Sequence, residues 1–265
     1  MTALHRVFAR DCERFARRDL GATGFTPTAW SSSALAKVRA RWQIQRFVEH
    51  RSTSVFLDLT KQLMEAGASV EATGVSARMA HDEYRHARLA ADVLEGLGCT
   101  KLAPLDRVLP VVARHPDVSR EVAALRNVIL CTCISETNAV ANFVLELEEI
   151  RDPFVARATR ALLADEVLHG EYGFRYLDDW APYLASTPGE RDQVTRYLPF
   201  AFAFAERELL GPPDSRRATA EERALGLLDR ATRRDVFFDV MNHAVVPGLE
   251  AHGLGAEHAF RQRSL

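Results

Sequence analysis

One spelling occurs twice in this chain: Asp82-Glu83-Tyr84-Arg85-His86 and Asp165-Glu166-Val167-Leu168-His169, both D-E-x-x-H. A Glu and a His three residues apart lie on neighbouring turns of one helix face, so one helix can offer an oxygen and a nitrogen to the same ion. Glu49 and Glu136 stand alone upstream of the first and second copies. Four carboxylates and two imidazoles brought to one point form the ligand set of a two-metal site between helices. Hard oxygen donors with imidazole and no thiolate suit iron or manganese better than zinc or copper. Chance supplies about 0.7 E-x-x-H per chain of this composition, so one copy would carry little weight. Two copies, each preceded by Asp, are expected at random on the order of once in a thousand chains. No third E-x-x-H occurs in the sequence.

The aspartates have their own place in this chemistry. A ligating imidazole needs its second N–H held by an acceptor. Asp82 is placed to serve His169 and Asp165 to serve His86, each across to the other helix pair. Arg85 can neutralise such an aspartate, whereas the second copy has Leu168 at that place, so the charge network is asymmetric.

Helices must hold these side chains. Apolar residues recur at three and four and alternation is rare, so the chain reads as all-α. An amphipathic helix over residues 3–18 precedes a loop of Gly, Thr, Pro and Ser. Four long helices follow. The first is expected over 33–66, with Trp42, Gln45, Glu49, Ser52, Phe56, Leu59 and Leu63 on one face. Gly67 stops it, and Ser69 caps a second helix over 70–97 with Met79, Glu83, His86, Ala90 and Val93 aligned. The third starts near Val118 after Asp117 and aligns Ile129, Cys133, Glu136, Val140, Phe143 and Leu147. Asp152-Pro153 opens the fourth, with Leu162, Glu166, His169, Gly173 and Tyr176 on one face. Equal arms of the second hairpin put Glu136 and Glu166 at one level; the arms to Glu49 and Glu83 differ by three residues. The stretch 98–117, with Pro104, Pro110 and Pro116, is long enough to run the height of the helices. Trp180, Pro182 and Pro188 are expected to end the fourth helix, and shorter helices to follow over 190–197, 199–210, 220–228 and 232–246. The organisation is one domain, 1–265, with its core at about 34–178 and accessory helices over 3–18 and 190–246.

Composition narrows the function classes. Length and 47% hydrophobic content allow a large core. Net charge is −2 and the basic residues are scattered, so no nucleic-acid or anionic-membrane footprint is visible. No uninterrupted apolar run reaches membrane-spanning length. Cys12, Cys99, Cys131 and Cys133 make no C-x-x-C pair, and the first twenty residues hold no signal-like apolar run, so a cytoplasmic protein with reduced thiols is expected.

On Glu49, Glu83, His86, Glu136, Glu166 and His169, over roughly residues 35–178, the chain resembles the ferritin-like di-iron carboxylate superfamily. The D-E-x-x-H spelling with Arg inside the first copy looks more like its oxygen-activating enzymes than like storage ferritins. The resemblance implies a ferritin-like four-helix bundle with a long crossover between its second and third helices. It implies two iron ions, or a manganese and iron pair, bound by those six residues. It further implies dioxygen as co-substrate, hydroxylation or oxidation of a small organic molecule, an external electron donor such as a reductase or ferredoxin, and room for a homodimer. N-oxygenases of this superfamily carry a further histidine four residues before the fourth-helix Glu, where this chain has Leu162. An iron-oxidising, iron-storing protein and a binding module whose metal site is empty or structural are the alternatives.

Other residues have two readings each. Thr132, four before Glu136, either lies beside an oxygen-binding face or packs helices. Tyr84 and Tyr172 could host a radical or be ordinary buried tyrosines. Gly170 and Gly173 either leave room for substrate or let helices pack closely. Phe200, Phe202, Phe204, Phe237 and Phe238 wall a channel or fill a core. His50 and His81 point off the ligand face and His243 lies in a late helix, so none of the three is expected to bind metal.

Overall fold

A computed structural model describes residues 24–212 and 214–263. The expected helix over 3–18, with Cys12, lies outside the described residues. Every regular element described is helical. Four long helices carry the core: α1 (Ser32–Glu65), α2 (Val70–Gly96), α3 (Arg120–Glu149) and α4 (Pro153–Ser186). Around them lie α5 (Pro188–Leu210), the short α6 (Ala220–Ala224), α7 (residues 230–251) and α8 (Ala256–Gln262).

Local chemistry sets most boundaries. Ser31 and Ser69 accept the backbone N–H groups of Ala34 and Ala72, capping α1 and α2. Gly67, at φ +73°, carries the reversal between them, with its N–H bonded to Met64 O and that of Ala68 to Leu63 O. Asp152 accepts from Phe154 N and Val155 N, and Pro153 takes the first position of α4, as expected. The cap of α3 is Ser119, bonded to Val122 N, and not Asp117, whose carboxylate pairs with Arg126 instead.

Direction follows from contacts at the two ends of α3. Asn127 donates to Gln62 Oε1 near the end of α1, and Glu146 meets Arg41 near its beginning, so α3 runs antiparallel to α1. The connection between α2 and α3 climbs alongside α1. Arg46 donates to Ala103 O, Ser54 to Pro110 O, Val112 N to Asp58 and Gln62 to Ala113 O, in ascending order on both segments. Sixteen residues of helix are covered, about 24 Å at 1.5 Å per residue.

Three expectations near the C-terminal part are corrected. α4 does not end before Trp180 but continues through Pro182 to Ser186. Proline removes one N–H bond. Tyr172, Tyr176, Trp180 and Tyr183 nevertheless stack in sequence at centroid separations of 6.0, 5.7 and 4.9 Å, and Leu184 is buried beyond the proline. Likewise the two helices expected over 190–210 are one, α5, with Pro199 inside it and buried Leu198 and Phe202 on either side. α8 was not expected at all; it packs on α5 through Phe260, whose ring lies 5.0 Å from that of Phe202. Phe202 and Phe237 fill core, whereas Phe200 is exposed, so these rings do not wall a channel.

α3 contains an eight-residue π-helical stretch, Ile129–Glu136, and α7 a second, Met241–Val245. Ser135 Oγ donates to Leu130 O five residues back, as the wider turn permits. Among the described residues α3 is the one helix long and apolar enough to cross a membrane, a property that core helices share. It also buries Arg126, Asn138, Asn142 and Glu146 against the protein.

Candidate metal centre

The six sequence-predicted residues come together midway along α1 to α4. Their donor atoms fall into two sets, each gathered within 4.8 Å: Glu49, Glu83, His86 and Glu166 in one, and Glu83, Glu136, Glu166 and His169 in the other. Glu83 and Glu166 belong to both sets, whereas Glu49 and His86 belong to the first alone and Glu136 and His169 to the second alone. Glu49, Glu83, His86, Glu166 and His169 are each at most 3% exposed. Only Glu136 reaches further out, with its side chain 13% exposed. The three-residue mismatch of the first hairpin does not keep Glu49 away.

Each histidine divides its ring between the cluster and an aspartate. His86 turns Nδ1 to Glu166 Oε1 at 3.2 Å and Glu49 Oε2 at 3.6 Å, while its Nε2–H donates to Asp165 at 3.3 Å. His169 turns Nδ1 to Glu83 and Glu166, both at 3.2 Å, with Glu136 at 4.0 Å. Its Nε2 faces Asp82 at 3.7 Å, beyond hydrogen-bond length. Of the two cross-pairings read from the sequence, His86 with Asp165 is a hydrogen bond, whereas Asp82 only faces His169. Arg85 lies between the two aspartates, 2.8 Å from Asp82 and 3.2 Å from Asp165, and so ties α2 to α4. The sequence suggested one aspartate for it; the fold gives it two.

Charge crowding dominates the electrostatics. Burial, then the neighbouring Glu49, pushes the Glu83 carboxyl well above its ordinary range. Burial, then Glu166 and Glu83, does the same to Glu136. For the imidazoles burial is the largest influence and opposes charge, but the carboxylates together outweigh it. His86 is raised well above its usual value by Asp165, Glu166 and Glu49, and His169 is pushed up to about 12 by Asp82, Glu166 and Glu83. Glu166 is held low against its burial by the two imidazoles that face it at 3.2 Å, and Asp82 is lowered by His169 and Arg85 against its own.

This donor set fits metal ions. Four carboxyl groups crowd one buried space, and burial with mutual repulsion already disfavours the ionised forms of Glu83 and Glu136, an arrangement of high cost without a counter-ion. Among the described residues the inward atoms His86 Nδ1, His169 Nδ1 and Glu166 Oε2 make no hydrogen bond. Two divalent cations would neutralise four carboxylates while the imidazoles bind as neutral ligands. The buried Glu and His groups could thus hold metal.

The other candidates sort as follows. Thr132 donates to Val128 O at 2.6 Å and is a packing residue in the π-helical turn. Gly173 leaves no room for substrate: a Cβ there would stand 2.9 Å from Cys133 N and closer still to Thr132 Oγ1 and Cys133 Sγ. Gly170 sits at ordinary contact distance from Val140 and Thr137. Tyr172 donates to Ala72 O at 3.0 Å, and Tyr84 is 42% exposed, its ring edge-on to His50. His243 is exposed and bonds Asp239 O within its own helix. Sequence reasoning passed over Gln45 in this role: it donates Nε2–H to Glu49 Oε1 and accepts from Arg41. Its position four residues before Glu49 was the available signal. Compared with protein-family models, curated proteins and solved structures, the chain matches none.

Proposed function

We propose that this protein is a ferritin-like di-iron carboxylate oxidoreductase that uses dioxygen to hydroxylate or oxidise a small organic molecule. The observation that carries this reading is the convergence of Glu49, Glu83, His86, Glu136, Glu166 and His169 into two overlapping ligand sets. Antiparallel α1 and α3, with the long connection along α1, are the features that favour a ferritin-like bundle with a crossover. Bound ferrous ions would supply electrons and coordination positions for reducing dioxygen.

The chain's own residues do the rest. Glu83 and Glu166 would be shared between the ions, and carboxylates can change binding mode as charge at the metals changes. Asp165 fixes the His86 ring by accepting its Nε2–H, which leaves Nδ1 free of its proton for a metal; Asp82 faces His169 Nε2 at 3.7 Å, without a hydrogen bond. Arg85 balances the charge of the two aspartates. Burial of the ligands excludes bulk water from the reacting centre. Insertion of one oxygen atom of dioxygen into substrate, with the other leaving as water, needs two electrons and two protons from outside. An external reductase or ferredoxin is therefore part of the proposal.

Anaerobic reconstitution with ferrous iron, followed by metal analysis, tests it. Two ions per chain are expected in the wild type and at most one in Glu136→Ala and His169→Ala, with helical circular dichroism retained. Fewer than one ion per wild-type chain would overturn the reading. Iron accumulating far past two per chain on exposure to dioxygen, without oxidised substrate, would point to storage instead.

A further inference from the structure

A cleft of about 680 Å³ opens between α1, α3 and the segment that joins α5 to α7. That volume lies within the range of sites for small organic ligands. Its floor connects to the metal centre through named hydrogen bonds. Gln45 donates to Glu49 Oε1 and accepts from Arg41 Nη1 at 2.8 Å. Arg41 donates to Glu146 at 2.6 Å, and Glu146 accepts again from Arg233 at 3.2 Å. Gln45, Arg41, Glu146 and Arg233 all line the cleft. Two guanidinium groups thus share one buried carboxylate, which leaves one positive charge in excess. Elsewhere on the rim Lys37 and Arg216 share Glu222 and Asp229 pairs with Arg217, with the acids Glu208 and Asp214 also in the lining. On α1 the cleft also presents Ile44 and Val48, two large hydrophobic side chains that lie open to solvent on either side of Gln45.

We infer that this cleft is the substrate site and that it selects a small organic acid, held by its carboxylate at Arg233 and Arg41 with its apolar body lying along Ile44 and Val48 toward Glu49. Guanidinium groups bind carboxylates through paired, charge-assisted hydrogen bonds, so an acid is favoured over an alcohol or an amine of the same length. The role as substrate rests on the di-iron reading; binding of the acid does not.

Calorimetric titration of the metal-free, full-length chain with octanoate, octan-1-ol and octan-1-amine tests the inference. Octanoate is expected to bind at least tenfold tighter than either of the others. Arg233→Gln and Arg41→Gln should each weaken octanoate at least tenfold. Glu146→Gln, which removes the shared counter-charge, should tighten it. Each variant is checked by thermal melting; Arg233→Gln leaves Glu146 its pairing with Arg41, so the result survives if another variant fails to fold. Undetectable octanoate binding, equal affinity for octan-1-ol, or unchanged affinity in a folded Arg233→Gln chain would overturn the inference. Because no metal is present, these outcomes are independent of the iron analysis, which fails or succeeds separately.

Discussion

Stripping metal from the protein should give its stability a steep, falling dependence on pH that the metal-loaded form lacks. His169 is pushed up to about 12, with burial opposing the shift and Asp82, Glu166 and Glu83 driving it; His86 is raised in the same direction by Asp165, Glu166 and Glu49. In the unfolded chain both titrate near the ordinary histidine value of about 6.5. Below that, folded and unfolded chains hold these protons alike and the stabilisation is fully present. Above it the folded protein retains protons that the unfolded chain has lost, so stability falls as pH rises, by at most about 1.4 kcal/mol per pH unit for each imidazole. The raised carboxyls Glu83 and Glu136 add loss of the same sign. Glu166 and Asp82, both lowered, lose their contribution only as pH falls through the acid range and are flat above pH 6. For a chain of this size 1 kcal/mol moves Tm by roughly 2–4 °C, so one to two imidazoles predict a drop of about 3–10 °C between pH 7 and pH 8. With metal at Nδ1 the imidazoles are neutral, no proton is retained, and higher pH favours binding. Differential scanning calorimetry at pH 6.5, 7.5 and 8.5, on chelator-treated and iron-loaded protein, reads both slopes. Equal slopes in the two forms, or a metal-free Tm that rises with pH, would refute this account of the centre.

Two further substitutions probe the frame around the ligands. Asp165→Asn weakens the acceptor of His86 Nε2–H at 3.3 Å, and should lower metal affinity about 10- to 100-fold while leaving two sites that fill at saturation; competition with a metallochromic chelator measures it. Gly173→Ala forces a Cβ to within 2.9 Å of Cys133 N in the π-helical turn, and should cost about 1–3 kcal/mol in thermal or urea unfolding, with an unchanged Tm counting against the close packing of α3 on α4.

The parts of the fold legible in the sequence are those set by local rules. Serine and aspartate caps, the Gly67 reversal and Pro153 each act within one turn of helix, and α1, α2 and the start of α4 appear close to where the sequence puts them. The six ligand candidates were legible for a related reason: E-x-x-H states its own geometry once the helix is granted. Pro182 and Pro199 were misread because packing outweighs their local cost. The rings from Tyr172 to Tyr183 meet at helical spacing across Pro182, and Phe202 packs on Phe260, a distant residue that no local pattern joins to it.

α3 shows how a correct residue can sit on an incorrect stripe. An α-helical period through Ile129, Cys133 and Glu136 leads on to Val140, Phe143 and Leu147. The observed buried face after Glu136 is instead Asn138, Asn142, Phe143 and Glu146. The π-helical turns from Ile129 to Glu136 explain the change of phase, because each wide turn takes an extra residue and rotates everything after it. Glu136, at the end of that stretch, turns together with the α-helical residues after it relative to Ile129 and Cys133, with Glu146 brought against α1. Glu146 thereby meets Arg41, which in turn bonds the Gln45 that touches Glu49. A carboxylate that the regular period would leave off the core face instead joins the metal centre to the cleft. That shift hid Glu146 from a reading of the sequence by regular periodicity.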